Sequence, residues 1–314
     1  MKRNASHHKS LTRNSLLVMM CLLLSGLVFA CDPGTTSPGV EIDTNTACCA
    51  DCICRGDAPT QSSYRNGPYR YTSYNLPRTS YRAGATVYYP TNAEPPFAGI
   101  VYCPPYTGTE SMLAAWGPFF ASHGIVLVTM STTTTMDTVD SRDDQQRDAL
   151  DALKAEHTRS GSPLQGKLSN RFGVMGWSMG GGATWINASK VAGLKSAMSL
   201  AGHNATALDR DARGGNIKCP TLIMNGATDM TILGGMGQSS GVYDAIANNI
   251  PKILYEVRGV GHMSWMTPTQ PGNAAAELAL AFQKTFLEGD TRWGEFIVQE
   301  PRNASDWETN IRVR

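Results

Sequence analysis

The stretch FGVMGWSMGGGATW, Phe172–Trp185, sets one serine among glycines. The apolar run from Phe172 to Trp177 has the length and composition of a buried strand. Ser178 follows, then Gly180, Gly181 and Gly182, and Ala183–Ile186 continues with residues that suit a helix. The string therefore reads as strand, sharp turn, helix, with the serine on the turn. Gly176-Trp177-Ser178-Met179-Gly180 fits G-x-S-x-G, in which a strained turn exposes the serine hydroxyl. Side chains at the flanking positions would collide, and Gly176 and Gly180 remove them. The start of the helix adds unpaired N–H groups beside Ser178, suited to a developing oxyanion. The competing reading is a glycine-rich turn with an incidental serine.

Outward from this motif the chain alternates. ATVYYP (85–90) and FAGIVYCP (97–104) read as strands closed by proline. TESMLAAWGPFFASH (109–123) reads as a helix with Thr109 as its cap, bent or interrupted at Pro118. GIVLVTM (124–130) is a continuous apolar run, as in a strand covered on both faces. SRDDQQRDALDALKAEH (141–157) is an amphipathic helix. RFGVMGW (171–177), LKSAMSLAG (194–202), PTLIMNG (220–226) and KILYEVRG (252–259) supply further strands. NAAAELALAFQKTFLEG (273–289) is a helix closed by Gly289. Alternation of this kind predicts an α/β fold, a mostly parallel sheet with helices on both faces. There is no internal repeat, and one domain is expected over residues 63–314.

A serine nucleophile needs a base, and the base needs an orienting carboxylate. Two histidines follow Ser178, His203 and His262. His203 precedes most candidate acids and fits the order serine, acid, histidine poorly. His262 lies in VRGVGHMSW, a glycine-containing loop after the last expected strand, where such a base belongs. PTLIMNGATDMT puts Asp229 in the loop after strand 220–226. Asp209, Asp211 and Asp244 read as solvated charges. The oxyanion needs two donors: the N–H of Met179, and one from the loop PPYTGT, most simply that of Tyr106.

The chain has 314 residues, a formal net charge of +1, 17% charged and 41% hydrophobic residues. A balance so near neutral supplies no basic excess for nucleic acid. Lys2, Arg3, Lys9 and Arg13 precede the apolar SLLVMMCLLLSGLVFA, which predicts a signal peptide over residues 1–30 and an exported chain. LVFAC resembles a lipoprotein cleavage box, with Cys31 as the lipid-bearing residue and the only expected link to a membrane. Ordinary cleavage after Ala30 is the alternative. Residues 31–62 begin with a polar, Pro/Gly/Thr-rich stretch and read as a tether too polar to fold. Cys48, Cys49, Cys52 and Cys54 crowd into it. In an oxidising compartment disulfides are favoured over a metal site, which would need a second ligand pair, or over unpaired thiols. Cys103 and Cys219 read as small buried residues. Nothing in the pattern calls for a metal or indicates an oligomeric state.

From about Thr86 to Asn303 the chain resembles the secreted bacterial cutinase family, including the poly(ethylene terephthalate) hydrolases. The strings that carry the resemblance are GATVYYPTNA, YTGTESMLAAWGPFFASHGIVLVT, SRDDQQRDAL, GVMGWSMGGGA, CPTLIMNGATD and GDTRWGEF, in the expected order. It implies an α/β-hydrolase fold, no cofactor, and ester hydrolysis in a shallow open cleft. It implies Ser178, Asp229 and His262 as a triad, with Tyr106 and Met179 at the oxyanion hole. It also sets Trp177 beside the nucleophile, where a core tryptophan behind the strand is the equal alternative.

Several residues depart from the family. Where members commonly carry a tryptophan that walls the acyl side, LAGHNAT has His203. Trp265 either supplies the missing ring or packs under its loop, and Met263 is a candidate lining residue. No cysteine follows Cys219, so the family's C-terminal pair is absent, and the Cys48–Cys54 cluster has no counterpart in the resemblance. The expected function is an exported serine esterase acting on polyesters. The alternatives are a lipase or small-ester esterase without polymer activity, and a surface-anchored binding protein on a hydrolase scaffold.

Overall fold

Runs of β-branched and aromatic residues become the strands of one sheet, and the intervening amphipathic stretches cover it. The computed structural model describes residues 39–45, 48–65, 67–231 and 236–314. In chain order the elements are β1 Val40–Ile42, β2 Tyr71–Asn75, β3 Ala85–Pro90, β4 Phe97–Cys103, α1 Trp116–Ser122, β5 Val126–Met130, α2 Val139–Ala155 and β6 Leu168–Trp177. They continue with α3 Met179–Lys190, β7 Ser196–Leu200, β8 Thr221–Gly226, α4 Met236–Ala245, β9 Lys252–Val257, α5 Asn273–Phe282, β10 Ala304–Thr309 and β11 Ile311–Val313.

The main sheet runs β10-β9-β8-β7-β6-β4-β5-β3-β2. The central pairings, from β5 through β4 to β9, are parallel. Antiparallel strands close both edges. Along β4 the side chains alternate between faces. Ile100 and Tyr102 join Trp116 and Phe120 of α1 and Phe282 of α5. Val101 and Cys103 join Leu150 of α2, Trp185 of α3 and Val242 of α4. This is the mostly parallel, helix-covered sheet expected from the alternation, and it is the α/β-hydrolase architecture that the resemblance implies. All parallel strands end on one edge, so the loops after β4 to β9 share it.

Several expected elements differ in detail. The helix over 109–123 is two pieces, a 3₁₀ turn Glu110–Leu113 and then α1. Pro118 therefore lies in the first turn of a helix, where its missing N–H costs no bond. The helix over 273–289 becomes π-helical at Gln283–Glu288 before Gly289 (φ 80°) ends it. The strands β2 and β10 and the helix α4 escape the alternation. β2 is largely exposed, and α4 is rich in glycine and serine.

The region read as a tether is partly folded. The compact unit runs Pro38–Arg314, and β1 pairs in parallel with β11. The cysteines pair Cys48–Cys54 and Cys49–Cys52. Both crosslinks lie within one short loop and close it on itself, where a polar sequence could not bury enough apolar area unaided. The Ile53 N–H donates to the Glu288 carbonyl at 2.8 Å. The Glu288 carboxylate accepts from Arg55 Nη1 at 2.8 Å and from Lys284 Nζ at 2.6 Å. Gly289 fits because a Cβ there would strike Cys52 Sγ. Cys103 and Cys219 are buried free thiols, both pushed up to about 12 by burial. Residues 1–30 and Cys31, read as signal peptide and lipidation site, lie outside the described residues. Among the described residues no helix is long and apolar enough to cross a membrane.

The ion cluster at Glu288 yields a stability test. Removing one member of a buried pair leaves its partner's charge uncompensated, which costs about 3–5 kcal/mol. Glu288→Gln is expected to lower unfolding free energy by about 3 kcal/mol, read from urea unfolding curves.

Candidate active site

β6 ends in Gly176 and Trp177, and α3 starts at Met179, so Ser178 alone makes the turn. Its backbone sits at φ 56°, ψ −119°, a conformation that L-residues avoid. Neighbouring strand and loop hold it there. Ser178 N–H donates to the Leu200 carbonyl at 2.9 Å. Its carbonyl accepts from His203 N–H at 2.9 Å and Gly182 N–H at 3.1 Å. A Cβ on Gly176 would fall on the Gly180 carbonyl, and one on Gly180 would fall on the carbonyls of Cys103 and Pro104. The glycines are thus room for the turn, as the motif requires.

β8 delivers Asp229 and β9 delivers His262. Asp229 Oδ2 meets His262 Nδ1 at 2.7 Å. Its Oδ1 accepts from the Thr231 hydroxyl at 2.6 Å and from Thr231 N–H at 3.1 Å. Burial resists ionisation of Asp229, but the hydrogen bonds from His262 and Thr231 and the charge of His262 outweigh it. The carboxyl is held below its usual range. An ionised carboxylate only accepts, so Nδ1 carries the hydrogen of this contact and Nε2 is the nitrogen left to face the serine. The Trp177 indole N–H donates to the His262 carbonyl at 3.0 Å, which ties the base loop to the serine turn. Among the described residues neither the Ser178 hydroxyl nor His262 Nε2 has a hydrogen-bond partner. Such contacts commonly tighten only around substrate.

The donors expected for an oxyanion are also open. Met179 is the first residue of α3, and its N–H has no acceptor in the helix. The Tyr106 N–H, on the loop after β4, has no acceptor among the described residues. Both amides stand on the catalytic edge.

None of the three rings weighed as substrate neighbours reaches the surface. Trp177 and Trp265 are 0% exposed and His203 is 1% exposed. Side chains so enclosed have no surface for an ester, which corrects their assignment as substrate contacts. Trp177 braces His262. The Trp265 carbonyl accepts from the Trp116 indole at 2.9 Å, so this residue packs under its loop. His203 turns inward, with Nε2 3.0 Å from Thr206 Oγ1. Met263 is open, at 52% exposure. Three apolar residues that the sequence reading passed over join it and Tyr106 on the loops of this edge: Met136, Leu208 and Met230. In the sequence they are isolated apolar letters in polar loops, a pattern that is normally without meaning. Only the adjacency of Met230 to Asp229 marks one of them out.

The comparisons with known proteins now bear on this geometry. The PET hydrolase-like family, PETase, matches residues 47–312. The chain belongs to that family. Cutinase 1 of Thermobifida cellulosilytica is 32% identical over 255 residues, covering 80% of this chain and 92% of that protein. A cutinase of Thermobifida fusca is 32% identical over 255 residues, 80% of each chain. The bis(hydroxyethyl) terephthalate hydrolase of Streptomyces coelicolor is 33% identical over 254 residues, 79% of this chain and 77% of that one. As a family member the chain is matched from residue 47, so the match takes in the cysteine cluster that the resemblance left out.

Burial of His203 sets a pH test. Desolvation first, and the charge of His262 second, lower its pKa from 6.5 to about 4. Between those values the unfolded chain binds the proton and the folded chain does not, so stability falls as pH drops through this window. His203→Asn is expected to lose less melting temperature than the parent between pH 6.5 and about 4. Parallel loss in both proteins would show that His203 does not carry the effect.

Proposed function

We propose that this chain is an exported serine carboxylic-ester hydrolase of the cutinase type, cleaving polyesters, aromatic ones included, through an acyl-serine. The observation that carries it is the 2.7 Å Asp229–His262 hydrogen bond on the same edge as a positive-φ serine at a helix start. Family membership and the printed activities of the relatives, cutinases and a bis(hydroxyethyl) terephthalate hydrolase, support it. The apolar N-terminal run supports export, and Cys31 is the proposed lipid anchor.

In the proposed reaction His262 Nε2 takes the Ser178 proton as Oγ attacks the ester carbonyl. The carbonyl oxygen becomes an anion bound by the N–H groups of Tyr106 and Met179. Each such donor is worth roughly 3 kcal/mol of transition-state stabilisation. Asp229 holds the imidazole tautomer and stabilises the imidazolium. The tetrahedral adduct collapses, and His262 hands its proton to the leaving alcohol. Water then repeats the sequence on the acyl-serine and releases the acid.

A second reading, a lipase or small-ester esterase without polymer activity, is favoured by the inward turn of His203, which leaves no aromatic wall. The two separate on a thin polyester film. The mature protein is expected to release soluble acid from it, and Ser178→Ala to lower turnover by about 10⁴-fold or more with its fold intact. Retained turnover in that variant would sink the mechanism. Cleavage of short soluble esters without release from film would favour the second reading.

A further inference from the structure

Arg142, on α2, is 0% exposed and forms no ion pair among the described residues. A buried guanidinium is costly, and it is ordinarily offset by a carboxylate. Here its acceptors are neutral. Nε donates to the Asp137 carbonyl at 3.1 Å and Nη2 to the Thr135 carbonyl at 2.8 Å. Nη1 donates to the Pro104 carbonyl at 3.2 Å and to Thr132 Oγ1 at 3.3 Å. The Asp137 carboxylate makes no ion pair with Arg142 and is taken up by Thr134 and Gln145.

Those acceptors belong to two loops, the one after β4 and the one after β5. The Thr135 carbonyl is shared, because Thr107 N–H also donates to it at 2.8 Å. Thr107 is held at φ 61°, a strained value for a β-branched residue. Tyr106 therefore sits between two fixed points, the Pro104 carbonyl on one side and the Thr107 amide on the other. Its own N–H has no acceptor among the described residues.

We propose that Arg142 is the positioning residue of the oxyanion loop. Its rigid fork of donors sets the direction of the Tyr106 amide without touching substrate. This rests on the hydrolase reading above, in which that amide binds the oxyanion. A backbone donor cannot be deleted by changing its own side chain, so Arg142 is the side-chain handle on it.

The test uses the mature protein with a soluble aryl ester and with phenylboronic acid, which forms a tetrahedral adduct on an active serine. Arg142→Met keeps the apolar stem and removes every donor. The expected result is a fall in kcat of about 10²-fold with KM nearly unchanged, the mark of an interaction made only in the transition state. Boronate affinity should fall in parallel, because the adduct mimics that state. A purely structural role would lower the melting temperature and spare kcat below it. Should Arg142→Met fail to fold, Arg142→Lys is read instead. It keeps the charge but not the fork, and a smaller fall in kcat with KM unchanged is expected. A folded variant with parental kcat and boronate affinity would overturn the proposal. The parent's own turnover, and its loss in Ser178→Ala, report separately on the hydrolase reading.

Discussion

A backbone forced out of its preferred conformations at three non-glycine residues governs the architecture of the catalytic edge. Among the described residues, Thr107, Ser178 and Ala201 have positive φ without being glycine. They follow β4, β6 and β7, three neighbouring strands of the sheet. Each such residue costs about 1–3 kcal/mol and persists only where its surroundings over-determine it. The surroundings do so here through the backbone. Ala201 N–H donates to the Met224 carbonyl at 2.7 Å, Ser178 is pinned to Leu200 and His203, and Thr107 to Thr135. Strain at one edge is thus opposed by a parallel sheet buried on both faces.

The sheet alone would not hold the helices in register with that edge. Buried amides complete the attachment. Gln146 of α2 donates to the Met175 carbonyl of β6 at 2.8 Å and to Thr184 Oγ1 of α3 at 3.2 Å. Asn187 of α3 donates to Gln146 Oε1 at 3.0 Å and to the Asp143 carbonyl at 3.0 Å. Satisfied buried networks of this kind rigidify what they join. Arg142, one turn before Gln146, extends the same device to the loop tips. One helix therefore carries a graded set of donors, from the sheet interior out to the oxyanion loop.

What was legible in the sequence follows from the range of each signal. The motif around Ser178, the acid and the base are local: each needs only a strand end and a loop, and apolar runs mark strand ends well. The buried parallel strands β4 to β9 were legible for the same reason. β2 and β10 were not, because edge strands lack a continuous apolar run. β1 was hidden by polar composition, since its pairing partner is β11, at the far end of the chain. Arg142 read as one charge among many on an amphipathic helix. Only the folded chain brings three carbonyls around it. The direction of a side chain was the least legible property of all. Trp177, at the end of β6, and His203 and Trp265, on the loops, lie where the motif places them and point into the protein.

That inward turn shapes the cleft. With three large rings withdrawn, the large apolar residues exposed on the loops of this edge are Tyr106, Met136, Leu208, Met230 and Met263. Among the large apolar residues counted as exposed, only Tyr71 lies elsewhere. Three of the five are methionines, whose unbranched thioether chains adjust to the shape they meet. A rigid aromatic wall selects a substrate of matching outline. Adaptable side chains on separate loops instead offer contact along an extended chain whose local shape varies. The same arrangement gives little hold on a small ester, which would touch one or two of these residues at a time. The absence of a ring to stack on an aromatic acyl group weakens the case for aromatic polyesters relative to aliphatic ones.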